Sequence, residues 1–197
     1  MDLQEGYLYH IYNQGNNRQR IFFKHINYEF FKKKIIEYVK PYADVFAYCL
    51  MPNHFHLMVR VIKLQLPVQT IYQNKTSNKM RSINDSIGIM VRSYTNAINK
   101  QEDRSGSLFK NPTKSECLNC PKNLSPAFNA QNRTKGFIDS KVNYPQTVFD
   151  YIHENPVKSN LVRRAIFYEF SSAKNYFFNE DDALIQTEIA KKFGIVF

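Results

Sequence analysis

Two histidines one residue apart, in His54-Phe-His56, are the most chemically suggestive feature of the chain. They open the run HFHLMVRVI from His54 to Ile62, whose β-branched and aromatic content predicts a strand. Side chains alternate along a strand, so Phe55, Leu57, Val59 and Val61 form an apolar core face while His54, His56, Met58 and Arg60 share the other. The two imidazoles then stand about 6–7 Å apart along the strand, within reach of one ion, and paired imidazoles are good ligands for a divalent transition metal.

A second cluster lies far downstream, in Phe149-Asp-Tyr-Ile-His-Glu-Asn-Pro-Val-Lys158. Tyr151 and Asn155 are four positions apart, which on a helix puts a phenol and an amide oxygen on one face, a turn apart. Pro156 disfavours helical geometry at Asn155, so the amide is expected at the very end of the helix, turned towards an ion. His153 points away from Tyr151 on such a helix and reads as a surface or packing residue, and His10 and His25 fall in no usable pattern.

These groups need a scaffold. Tyr7 to Asn13 predicts a first strand running into a polar loop at Gly15–Asn17, and Phe30, Phe31, Ile35, Tyr38 and Val39 recur at helical spacing between Asn27 and Val39. Asp44 to Leu50 predicts a second strand, joined to the histidine strand through the turn Met51-Pro52-Asn53. Between Pro67 and Lys100 the second half is an amphipathic helix carrying Ile83, Ile87, Met90, Val91, Tyr94 and Ile98. Gly106 to Lys110 is expected to start a fourth strand, residues 111–143 to be an irregular insertion, and Tyr144 to Glu154 a helix with Val148, Phe149 and Ile152 on its apolar face. The order predicts an α+β, ferredoxin-like fold: an antiparallel sheet with helices on one face, the histidines on a central strand, and the other face open. Residues 1–162 are read as one domain and 163–197 as a C-terminal extension packed on it.

Lys and Arg outnumber Asp and Glu by 27 to 17 in 197 residues, a net charge of +10 that favours a polyanionic partner such as nucleic acid. Arg18, Arg20, Arg60, Lys110 and Lys114 are candidates for phosphate contacts around the open face. No window approaches a membrane span and the first residues lack the pattern of a secretory signal, which predicts a cytoplasmic protein with no membrane partner. Cys117-Leu-Asn-Cys120 is half of a zinc pattern with no second pair, and with Cys49 it is expected to remain reduced.

Met51-Pro-Asn-His-Phe-His-Leu-Met-Val59, followed by Tyr151-Ile-His-Glu-Asn-Pro-Val-Lys-Ser-Asn-Leu-Val162, resembles the paired signature of REP-associated tyrosine transposases and their insertion-sequence relatives. His10-Ile-Tyr-Asn-Gln-Gly-Asn-Asn17 and Phe170-Ser-Ser-Ala-Lys-Asn-Tyr176 also fit that family. The resemblance implies an HUH motif (histidine, hydrophobic residue, histidine) in which His54 and His56 hold Mg²⁺ or Mn²⁺ with Asn155, and in which Tyr151 is the nucleophile. It implies a DNA transposase acting on single-stranded DNA with hairpin structure through a 5′-phosphotyrosine linkage. Insertion-sequence relatives work as dimers that exchange the tyrosine helix, whereas REP-associated relatives are monomers, and a monomer is favoured here.

The chemistry fits the residue types. A free tyrosine has a pKa near 10, and the DNA phosphate repels an anion, so a metal that polarises the phosphate serves both needs. The competing reading is a noncatalytic or domesticated nucleic-acid-binding protein of the same fold. RNA-recognition sheets, however, carry aromatics where this chain has His54 and His56. A hydrolase using water instead of Tyr151 differs from the transposase in forming no covalent adduct.

Overall fold

The aromatic run of Leu8–Gln14 forms strand β1, and in the computed structural model, which describes residues 1–72, 75–121 and 144–197, it lies inside a four-stranded sheet. Helix α1 (His25–Tyr38), β2 (Ala43–Met51) and β3 (His54–Val61) follow, with β3 antiparallel to both β2 and β1. A separate hairpin of β4 (Gln65–Tyr72) and β5 (Lys75–Ser82) leads into α2 (Ile83–Gln101). β6 (Lys114–Cys117) completes the sheet beside β1 in the order β2-β3-β1-β6, and α3 (Tyr144–Lys158), α4 (Ala173–Phe178) and α5 (Thr187–Lys192) follow.

The predicted alternation on β3 holds. Phe55, Leu57, Val59 and Val61 join Tyr9 and Ile11 of β1 in a core covered by Phe31 and Ile35 of α1 and by Ile83, Ile87, Met90, Tyr94 and Ile98 of α2. Ser82 caps α2 by accepting a hydrogen bond from the Asp85 backbone, so the helix starts where the apolar periodicity does.

The expectation of helices on one face is wrong. Val148, Phe149 and Ile152 of α3 pack with Phe46, Ala47, Cys49, Met51 and Met58 on the opposite face, together with Ala190 of α5 and Ile195. The reason lies in β2, every residue of which is buried: a strand apolar on both sides exposes a large apolar area unless both faces are covered. The outer edge of β2 is covered too, since Leu50 N–H donates to the Phe170 carbonyl, Ser172 N–H to that of Tyr48 and Gln186 N–H to that of Val45.

Three further expectations change. The fourth strand is Lys114–Cys117, not Gly106–Lys110; Leu108 and Phe109 are spent on the core, and only Phe109 bridges to Gly15. The β4–β5 hairpin has no counterpart in the predicted order, because Pro67 falls inside β4 and β5 carries a single apolar residue, Met80. Cys117 and Cys120 are joined as a disulfide rather than left as thiols, brought together by the turn that follows β6, where Leu118 N–H donates to the Leu8 carbonyl. Of the expected insertion, residues 122–143 lie outside the described residues.

Candidate functional site

Strand register brings the histidines into contact with β1. His54 pairs with Gln14 and His56 with Tyr12 across β3–β1, and Tyr12 pairs in turn with Lys114 of β6. The His54 and His56 ring centres are 4.9 Å apart, and His54 Nδ1 donates to Asn53 Oδ1 at 2.6 Å. His56 is buried, its Nδ1 lies 2.8 Å from His10 Nε2, and its Nε2 has no hydrogen-bond partner.

Burial holds the His56 pKa well below the usual range, and the neighbouring His10 and His54 push it the same way. Burial also lowers that of His54, partly offset by a hydrogen bond with Asn155. Both imidazoles are therefore neutral at neutral pH, the state a metal ligand requires.

Helix α3 carries Tyr151 and Asn155 to this pair because its apolar face docks on β2. The Tyr151 ring stands edge-on to His56 at 5.5 Å and to His10 at 6.2 Å between centres. Asn155 is buried and donates from Nδ2 to the Tyr151 carbonyl at 2.7 Å. Burial raises the Tyr151 pKa, while a hydrogen bond with Asn155 pulls it back. Contrary to expectation, α3 runs through Pro156 to Lys158, so Asn155 lies within the helix rather than at its end. Pro156 sits in the last turn, where its missing N–H removes one helical bond and leaves the others in place.

The face expected to be open is roofed by α3, and the histidines lie beneath it. His153 packs against Phe149, Tyr176 and Phe197 with Nε2 2.7 Å from Ser172 Oγ, which makes it a buried packing residue. Two contributors escaped the sequence reading. His10 is fully buried and stacks on Tyr12, and its partner His56 lies 46 positions away, beyond any local spacing rule. Lys158 Nζ reaches 5.2 Å from the Tyr151 ring centre, a contact that only the extended helix creates.

The basic candidates divide. Gln14 faces His54, and Lys110 Nζ donates to Gln14 Oε1 at 2.9 Å; Lys114 stands exposed beside Tyr12. Arg18 and Arg20 are exposed in the loop after β1, which is tight enough that a side chain at Gly15 would press on the Gln19 carbonyl oxygen. This loop joins the histidine end of β3 through Gly15 N–H, which donates to the Asn53 carbonyl at 2.8 Å. Arg60 is not brought to the pair: Asp44 binds its guanidinium at the other end of β3, and Phe193 lies under it at 5.2 Å.

Among the described residues no three His, Cys, Asp or Glu side chains converge on a metal position, and no helix is long and apolar enough to cross a membrane. No family model and no curated protein matches the chain. The structure of a REP-associated tyrosine transposase bound to a REP hairpin is similar over 94% of this chain and 94% of that one, with a TM-score of 0.58 and 13% sequence identity. That likeness shows a shared fold.

Proposed function

We propose that the chain is a single-tyrosine HUH transposase of the REP-associated kind, which nicks and rejoins single-stranded DNA carrying a hairpin. The observation that carries this reading is the approach of Tyr151 and Asn155, from a distant segment, to His54 and His56. The fold shared with the hairpin-bound transposase supports it.

His54, His56 and Asn155 fit Mg²⁺ or Mn²⁺. The buried, unpartnered Nε2 of His56 costs about 1–3 kcal/mol of lost solvation that a ligand bond would recover. When bound, the ion supplies positive charge that polarises a non-bridging phosphate oxygen and stabilises the departing 3′ oxygen. All three protein donors are neutral, so binding is weak until the DNA phosphate adds its charge.

Tyr151 Oη attacks phosphorus and forms the new O–P bond as the bond from phosphorus to the 3′ oxygen breaks. The phenolic proton ends on the departing 3′-OH. The 5′-phosphotyrosine ester retains the bond energy, so attack by a 3′-OH rejoins DNA and releases Tyr151 without ATP. Asn155 donates to the Tyr151 carbonyl, and its hydrogen bond with the phenol draws the Tyr151 pKa down against the effect of burial. Lys110, Lys114, Arg18 and Arg20 line the approach and are assigned to the DNA backbone. A monomer is the proposed state, in keeping with the REP-associated kind.

Incubating the protein and Mn²⁺ with end-labelled hairpin DNA tests this. A covalent adduct with the 5′ side of the break, formed on single strands and not on duplex, is expected. Equal cleavage of both, or cleavage without adduct, contradicts it.

A further inference from the structure

A metal ligand needs more than proximity: its ring must present a lone pair, and the tautomer is set by the bond the other nitrogen makes. His56 meets this condition through a residue outside the metal set. His10, fully buried on β1, places Nε2 2.8 Å from His56 Nδ1, with the two rings stacked 5.0 Å apart. One nitrogen of that pair must donate and the other accept.

If His10 donated, His56 would carry its proton on Nε2 and offer no lone pair there to an ion. If His56 donates from Nδ1, its Nε2 is left bare and can ligate. We propose that His10 is the positioning residue of the site: its Nε2 accepts from His56 Nδ1 and thereby fixes His56 in its ligating tautomer. His10 then holds its own proton on Nδ1. Glu116, buried on β6, is the register partner of His10, and its carboxylate accepts from the Tyr144 hydroxyl. Tyr12 stacks on His10 and holds its ring in place.

This rests on the reading of His54 and His56 as metal ligands, and its test is separable from catalysis. Nitrogen-15 NMR of the imidazoles in the metal-free protein reads the tautomer directly: His56 is expected to be protonated on Nδ1 and bare on Nε2. Mn²⁺ affinity, measured by electron paramagnetic resonance without DNA, is expected to fall about 10–100-fold in His10→Leu. It should return to within a few-fold in His10→Gln, whose amide oxygen can accept at the place of Nε2. If the leucine variant does not fold, the wild-type tautomer and the glutamine variant decide the matter. A His56 proton on Nε2, or unchanged Mn²⁺ affinity in a folded His10→Leu, overturns the proposal. Absence of a phosphotyrosine adduct alongside the expected tautomer would instead overturn only the transposase reading.

Discussion

Lys158 Nζ lies 5.2 Å from the centre of the Tyr151 ring, at the end of the helix that carries both. A cation over a phenol ring adds about 0.5–1 kcal/mol at an exposed site and is well placed to meet a phosphate brought to Tyr151. Lys158→Met should cost under about 1 kcal/mol of stability and slow adduct formation roughly tenfold. Single-turnover nicking alongside urea denaturation checks both; an unchanged nicking rate removes Lys158 from the site.

His54→Ala and His56→Ala should each abolish metal-dependent nicking. Both side chains lie opposite the core face of Phe55, Leu57, Val59 and Val61, so His54→Ala in particular should leave folding intact. Chelation by EDTA should have the same effect on the wild type while hairpin binding persists, as a mobility-shift assay would show. Nicking at full rate in EDTA would remove the metal from the account.

Asn155→Ala should be milder, lowering the nicking rate about ten- to a hundredfold, because water replaces a neutral oxygen donor more readily than an imidazole. Manganese titration of the nicking rate measures it. A loss as complete as that of His56→Ala would mean that the hydrogen bonds of Asn155 to Tyr151 and His54 matter more than ligation.

Phe149 anchors helix α3, being fully buried against β2 and edge-on to His153 and Tyr176. Phe149→Ala should cost about 3–5 kcal/mol, read as a lower urea midpoint. An undiminished midpoint would show that α3 is held by something other than this contact.

How far the chain could be read in advance depended on whether a feature was local. Alternation along His54–Val61 identified the core face and the histidine face of β3, and the spacing of Ile83, Ile87, Met90, Tyr94 and Ile98 identified α2. The Tyr151–Asn155 pair was legible because helical neighbours are close in sequence. What failed was non-local. The second apolar face of β2 was visible in Asp44–Leu50 as a continuous run, but what would cover it was not. β6 is four residues long and is defined by its pairing with β1, not by its own pattern. His10 has no spacing signature, since strand register alone brings it to His56. Arg60 looked like a neighbour of the histidines, yet Asp44, sixteen positions earlier, claims its charge.

The central claim is that Tyr151 attacks phosphorus. Tyr151→Phe keeps the ring beside His56 and beneath Lys158 and removes only the hydroxyl. Its stability and hairpin binding should therefore match the wild type to within about 1 kcal/mol. With 5′- and 3′-labelled hairpin DNA and Mn²⁺ on a denaturing gel, the wild type should shift only the label on the 5′-phosphate side of the break, and Tyr151→Phe should give neither nick nor shift. Nicking that persists in the phenylalanine variant, or an adduct that maps to another tyrosine such as Tyr144, would contradict the account.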